Sequence, residues 1–192
     1  MAENGRSNNS WKKWVFSAVL VALSIVLTRL LSINIGNDIR IGFGRFPIIL
    51  SGMWYGPFIG MAVGAVSDFL GAIMFTGWNP IITIPAALSG LLPFLFLKLF
   101  RVGKPGLGEK NSLKKLPGII ATVILTKILT QGLLMSVILA LVYNGFAAFG
   151  TFLITRNIIT VSEGLVESAV IYVLYTNAAV NRAARTGFFD IV

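Results

Sequence analysis

From residue 15 to residue 176 the chain is a succession of long apolar stretches, broken only by short polar or glycine- and proline-containing segments. That pattern leaves few folds open. About 20 consecutive apolar residues suffice for a helix to cross a bilayer, and in lipid only helices and closed barrels satisfy every backbone N–H and C=O. The expected spans are 15–33, 46–55, 58–75, 81–100, 116–141 and 152–176, with a tight turn at Gly56-Pro57 and turn residues at 76–80. The first stretch is too long for a signal-peptide core and runs on into further spans. The expected fold class is therefore all-α, an integral membrane six-helix bundle with both termini on one side. It divides into a polar, disordered tail at 1–10, a membrane domain at 11–181 and a C-terminal tail at 182–192.

Composition agrees with lipid as the solvent. The chain is 56% hydrophobic and 12% charged, where soluble domains have about 45–50% and about 25%. Its 192 residues contain no Cys and no His, which excludes disulfides, thiolate or imidazole metal sites and His-based catalysis. The net charge of +9 would suggest nucleic acid in a soluble protein, but its distribution argues otherwise. Eleven of the 16 basic residues (Arg6, Lys12, Lys13, Lys98, Arg101, Lys104, Lys110, Lys114, Lys115, Arg182 and Arg185) fall on the side that carries the termini. The positive-inside rule makes that side cytoplasmic, with no nucleic acid partner.

Small residues recur at helical spacing. Ala18 and Ala22 share one face of the first span, fit either for internal packing or for docking a partner. Gly52, Gly56, Gly60 and Gly64 fall every four residues, and the same step reaches Asp68 and Ala72. The glycines read as a ridge against which another helix can lie closely. Asp68 does not, because an ionisable group at mid-span costs about 2.5–3.5 kcal/mol on insertion scales and marks a candidate functional site.

Lys127 and Gln131 lie four apart on the fifth span, while Arg156, Thr160, Glu163 and Glu167 share a face of the sixth, with Asn157 beside them. Two readings stand together: an ion pair of Lys127 with Glu163, Glu167 or Asp68, and a polar stripe lining a solute cavity. At the outer loops, Arg40, Phe43, Arg45 and Phe46 combine with Trp78 and Asn79. Cations beside aromatic faces suit a planar anionic molecule, although an interfacial belt with snorkelling Arg has the same composition. Arg29, at the outer end of the first span, faces partner, headgroup or solute. No glycine loop with a following Lys, paired-carboxylate site or nucleophile motif is visible. The chain reads as a non-enzyme with no cofactor, and any ATP-driven work would need another subunit.

These residues carry a resemblance. Ala18-x-x-x-Ala22, the stretch RIGFGRFPIILSGMWYGPFIGMAVGAVSDFLGAIMF (40–75) and the short polar loop leading into the next span resemble the substrate-binding S-components of energy-coupling factor (ECF) vitamin transporters. FGRFPIILSGMWYGP and GAVSDFLG are similar to the folate-specific members. The resemblance covers nearly the whole chain. It implies a six-helix protein of the bacterial cytoplasmic membrane that captures a vitamin from outside. It also implies docking, through Ala18 and Ala22, on a transmembrane T-component with two cytoplasmic ATPases, which alone bind ATP.

For a folate ligand the expected binding residues are Arg45, Phe46, Asp68, Trp78, Asn79, Lys127, Gln131, Arg156, Asn157 and Glu163. Arg45 or Arg156 would take the glutamate carboxylates, Trp78 or a loop Phe would stack on the pterin, and Gln131, Glu163 and Asp68 would meet its edge. The loop at 76–80 is shorter than the proline- and phenylalanine-rich segment of folate-type members. Riboflavin or a hydroxymethylpyrimidine are alternative ligands, and a ligand-free scaffold or an autonomous carrier are alternative functions.

Overall fold

The structure is a computed structural model, and it describes residues 4–29, 32–35, 39–75, 77–102, 112–144 and 149–177. The expected tail at 182–192 and most of the polar loop at 101–115 lie outside the described residues.

The first helix, α1 (Asn4–Arg29), starts well before the apolar stretch and includes most of the polar segment expected to be disordered. After it come two short strands, β1 (Ile33–Ile35) and β2 (Ile39–Ile41), which pair antiparallel with Asn34 opposite Arg40. The sequence alternates apolar and polar residues there, which suits a pleated ribbon better than the loop expected from its glycines. A 3-10 turn (Phe43–Arg45) follows, and Ser24 on α1 donates its hydroxyl to Gly44 O at 2.7 Å.

Helix α2 (Phe46–Phe75) occupies the place of the expected second and third spans. Its backbone leaves the helical region at Gly56 (φ 84°, ψ 178°), immediately before Pro57. A positive φ costs glycine little, and proline cannot donate the next helical hydrogen bond, so the break falls where Gly-Pro signals it. The two arms then run close together, since a Cβ on Gly60 would stand 2.6 Å from Gly52 Cα. Where six spans are expected, the described residues therefore form five helices, the second broken at Gly56.

Asn79 caps α3 (Pro80–Leu99) by accepting Ile81 N–H on its side-chain oxygen at 3.0 Å, and Pro80 takes the first position, where its missing donor costs nothing. The α3 backbone lies directly on the glycine ridge. Gly52 and Gly60 face Gly90, and Gly64 faces Ala86, with no room for a Cβ at any of the three ridge glycines. Close backbone approach of this kind is how apolar helices associate where lipid offers no hydrophobic drive.

The next helix comprises α4 (Ser112–Lys127), a π-helical segment (Ile128–Leu134), α5 (Met135–Leu139) and a second π-helical segment (Ala140–Asn144). The last helix is α6 (Phe149–Thr176). It runs antiparallel to α4, as the facing of Gly164 to Ile124 and of Asn157 to Gly132 shows. Among the described residues, four segments are long and apolar enough to cross a membrane: Phe43–Met74, Pro80–Leu99, Lys114–Val142 and Leu153–Thr176. Their outer faces carry exposed Phe58, Met74, Ile158 and Val173, which lipid tolerates and water would not.

The bundle has two halves. Ile119 and Val123 of α4, Ile171 and Tyr175 of α6, and Ile49, Trp54 and Tyr55 of α2 build an apolar core toward one end. Beyond it, from Lys127 on α4 and Glu167 on α6, the interior becomes polar.

Candidate functional site

Lys127 is the centre of the polar half. Its ammonium nitrogen lies 3.0 Å from Glu163 Oε2 and 3.0 Å from Glu167 Oε1, with Lys127 and Glu167 each 1% exposed and Glu163 7%. Of the pairings left open by the sequence, the structure makes these two, while Asp68 turns elsewhere. Buried membrane charges persist only with such partners. Glu163 has a second contact, because its Oε1 accepts Gly42 N–H at 3.0 Å, tying the end of the ribbon to α6.

Hydroxyls extend the polar region. Thr122, Thr126 and Thr130 each donate to the carbonyl four residues earlier, at 2.7–2.8 Å, forming a buried ladder along α4 and into the π segment. At its top, Thr130 Oγ1 lies 3.1 Å from Ser89 Oγ on α3. Ser89 in turn accepts an N–H from Arg45 Nη1 at 3.0 Å. The guanidinium of Arg45 thereby crosses from the start of α2 toward α3 and α4. It lies within electrostatic reach of Asp68, Arg156, Glu163 and Glu167. Ser89 and Thr130 escaped the sequence reading, although hydroxyls four apart beside a buried Lys were the signal available for Thr130.

Asp68 forms a separate chain. Trp78 Nε1–H donates to Thr83 Oγ1 at 3.0 Å, and Thr83 donates to Asp68 Oδ2 at 2.8 Å. Trp78 is half exposed and meets the edge of Phe69, with ring centroids 5.1 Å apart. The indole is thus positioned from both sides while part of its surface stays open. Between α1 and α2 lies a small cavity of about 70 Å³, lined by Arg29, Arg45 and Asp68 with the hydroxyls of Ser24, Thr28 and Ser67. Arg29, whose direction the sequence left open, faces the same space as Arg45.

Gln131 lies in the π segment, and Asn157 of α6 packs against that segment at Gly132. Asn157 Nδ2 donates to Leu153 O at 2.7 Å, and its Oδ1 packs against Gly132, where a Cβ could not fit. Asn157 Oδ1 and Gln131 Oε1 are buried without a hydrogen-bond partner among the described residues. Two such acceptors are costly unless a donor meets them, and single π turns often mark functional positions.

Two expected binding residues also make structural contacts. Asn79 Oδ1 is committed to the α3 cap, and Phe46 packs against the apolar core. Arg156 is half-buried on α6. Ala18 and Ala22 are exposed on α1, on the face that also presents Val15 and Val19.

A family described as "ECF transporter, substrate-specific component" matches residues 12–176. A curated relative, the folate transporter FolT of Clostridium novyi (strain NT), is 39% identical over 84 residues, which is 43% of this chain and 48% of that protein. The chain thus aligns with less than half the length of that relative. A crystal structure of FolT bound with folic acid superposes with a TM-score of 0.67 at 25% identity, covering 84% of this chain and 90% of the other. The S component of a bacterial ECF transporter shares the fold, with a TM-score of 0.58 at 20% identity over 91% and 96% of the two chains.

Proposed function

The chain belongs to the ECF transporter substrate-specific component family, and on that premise we propose that it is the substrate-capture subunit of an ATP-driven vitamin importer, with folate as its ligand. As a member of that family it is a multi-pass membrane protein and a transporter component, not an enzyme. The observation that carries the folate reading is the superposition on FolT holding folic acid, over 84% of this chain. The polar half of the bundle supplies matching chemistry.

In this reading six membrane segments, counting the two arms of α2 separately, place both termini in the cytoplasm. Folate enters from outside. Arg45, assisted by Arg29 and Arg156, takes the glutamate carboxylates, because guanidinium N–H groups form charge-assisted bonds to such groups. Trp78 stacks on the pterin with its ring fixed by Thr83 and Phe69. Gln131 and Asn157 supply the two buried oxygens that adjacent ring N–H donors require. Lys127, Glu163 and Asp68 set the field around these groups.

Transport then depends on partners. Ala18 and Ala22 leave a shallow, small-residue strip on α1 that suits close approach by a T-component helix. The two ATPases bind and hydrolyse ATP, and the chain itself needs no cofactor.

The test is direct: titrate the purified protein in detergent with folate and follow tryptophan fluorescence or heat. Nanomolar binding without ATP is expected. No binding at micromolar folate overturns the assignment, and a tighter response to riboflavin or a hydroxymethylpyrimidine would reassign the ligand.

A further inference from the structure

The end of the bundle remote from the polar half carries a groove of about 480 Å³ between the end of α3 and the start of α4. Its apolar lining comes from Phe100, Val102 and Pro117, and its cations are Arg101, Lys114 and Lys115. Arg101 and Lys114 are exposed. Basic residues near a membrane surface by themselves reflect topology. Here, however, they converge from two elements on one concave, partly apolar surface.

The local structure holds them there. Helix α3 ends with Val102 N–H donating to Leu97 O at 3.0 Å and Arg101 N–H to Lys98 O at 3.2 Å. Arg101 takes φ 50°, a left-handed conformation usually left to glycine. That turn folds Val102 back onto Gly118 of α4, where a Cβ would collide with it. Phe100 is braced by stacking on Phe96, with ring centroids 6.3 Å apart.

Depth is also defined. One segment long and apolar enough to span a membrane ends at Leu99 and the next starts at Lys114, which in the proposed membrane reading sets the groove at the level of the headgroups. We propose that this groove binds the phosphate headgroup of an anionic phospholipid, with Arg101 and Lys114 on the phosphate and the Phe100–Val102–Pro117 surface against the glycerol and first acyl carbons. Basic pockets between membrane helices recognise lipid headgroups in this manner.

The experiment uses the full chain in a neutral detergent, titrated with phosphatidylglycerol and separately with phosphatidylcholine, with bound lipid counted by native mass spectrometry. Phosphatidylglycerol is expected to bind about 30-fold more tightly, as two engaged cations imply. The double variant Arg101→Gln/Lys114→Gln should lose most of that preference at an unchanged melting midpoint. Lys98→Gln, which removes an exposed cation nearby but outside the groove lining, should keep it. Equal binding of the two lipids overturns the proposal, as does an equal loss in Lys98→Gln. Millimolar inorganic phosphate that displaces phosphatidylglycerol supports phosphate as the recognised group. Phosphate binding without any preference between the lipids assigns the groove to a soluble anion and overturns a lipid occupant.

Discussion

Lys127 on α4 and Glu167 on α6 stand 3.0 Å apart in the interior, each 1% exposed. With Glu163 as a second counter-ion, the cluster holds one ammonium between two carboxylates. Lys127→Met would leave both carboxylates facing each other without a cation. Breaking a buried pair from one side costs about 3–5 kcal/mol, so the variant should melt well below the wild type in detergent. Glu167→Gln keeps Lys127 paired with Glu163 and should lose clearly less. Equal losses in the two variants would show that packing, not charge, sets the stability here.

The glycine ridge gives a second test. Gly60→Ala places a methyl group against the Gly90 carbonyl, and because both neighbours are backbone the helices must separate. A loss of about 1–3 kcal/mol is expected from such overpacking. Gly150→Ala has open space around the new Cβ and should stay within about 0.5 kcal/mol of the wild type. Thermal melts of the two side by side make the comparison.

These two sites also show what was legible beforehand. The ridge could be read because residues four apart on a helix must share a face, whatever lies opposite. The polar faces that carry Lys127 and Glu163 were legible for the same reason. Their pairing was not, since periodicity cannot choose between Glu163, Glu167 and Asp68 as partners. The Arg45–Ser89–Thr130 contact joins three separate stretches of chain and exists only once α2, α3 and α4 are packed. The paired strands β1 and β2 were hidden by their glycine-rich surroundings, and the π segments by a sequence that reads as ordinary helix. The cap that Asn79 makes was not legible, because a polar residue before proline looks the same whether it caps a helix or lies in an open loop.

Substitution of Arg45 offers a measurement that separates charge recognition from ring recognition. Arg45→Ala should weaken folate binding by about 10- to 100-fold, the value of a hydrogen bond to a charged group. Binding of pteroate, which lacks the glutamate, should fall much less. A similar drop for both ligands would place the contribution of Arg45 in holding α2 to Ser89 rather than in contacting the glutamate.

Trp78 offers a complementary measurement. Trp78→Ala should cost about 1–3 kcal/mol of binding through lost stacking. Trp78→Phe keeps a ring but cannot donate to Thr83, so its loss should match that of Thr83→Val if the fixed orientation of the indole is what matters. Calorimetric titration of the three variants checks the ranking.

Ala18→Trp alters an exposed position on α1 and no described site contact. It should leave folate affinity unchanged and abolish uptake in proteoliposomes containing the T-component and ATPases. Loss of affinity together with uptake would indicate misfolding and count against docking through this strip.

The bond from Gly42 N–H to Glu163 Oε1 gives the ribbon a direct electrical connection to the interior. Glu163 cannot swing away with the ribbon without also leaving Lys127, which its other oxygen holds. Moving Gly42 together with Glu163 would redistribute charge about a buried ammonium, whereas breaking only the Gly42 bond would leave the ammonium undisturbed. The hold that α6 keeps on Gly42 is therefore set in part by Lys127, a residue of a different helix that fixes the carboxylate from its other side.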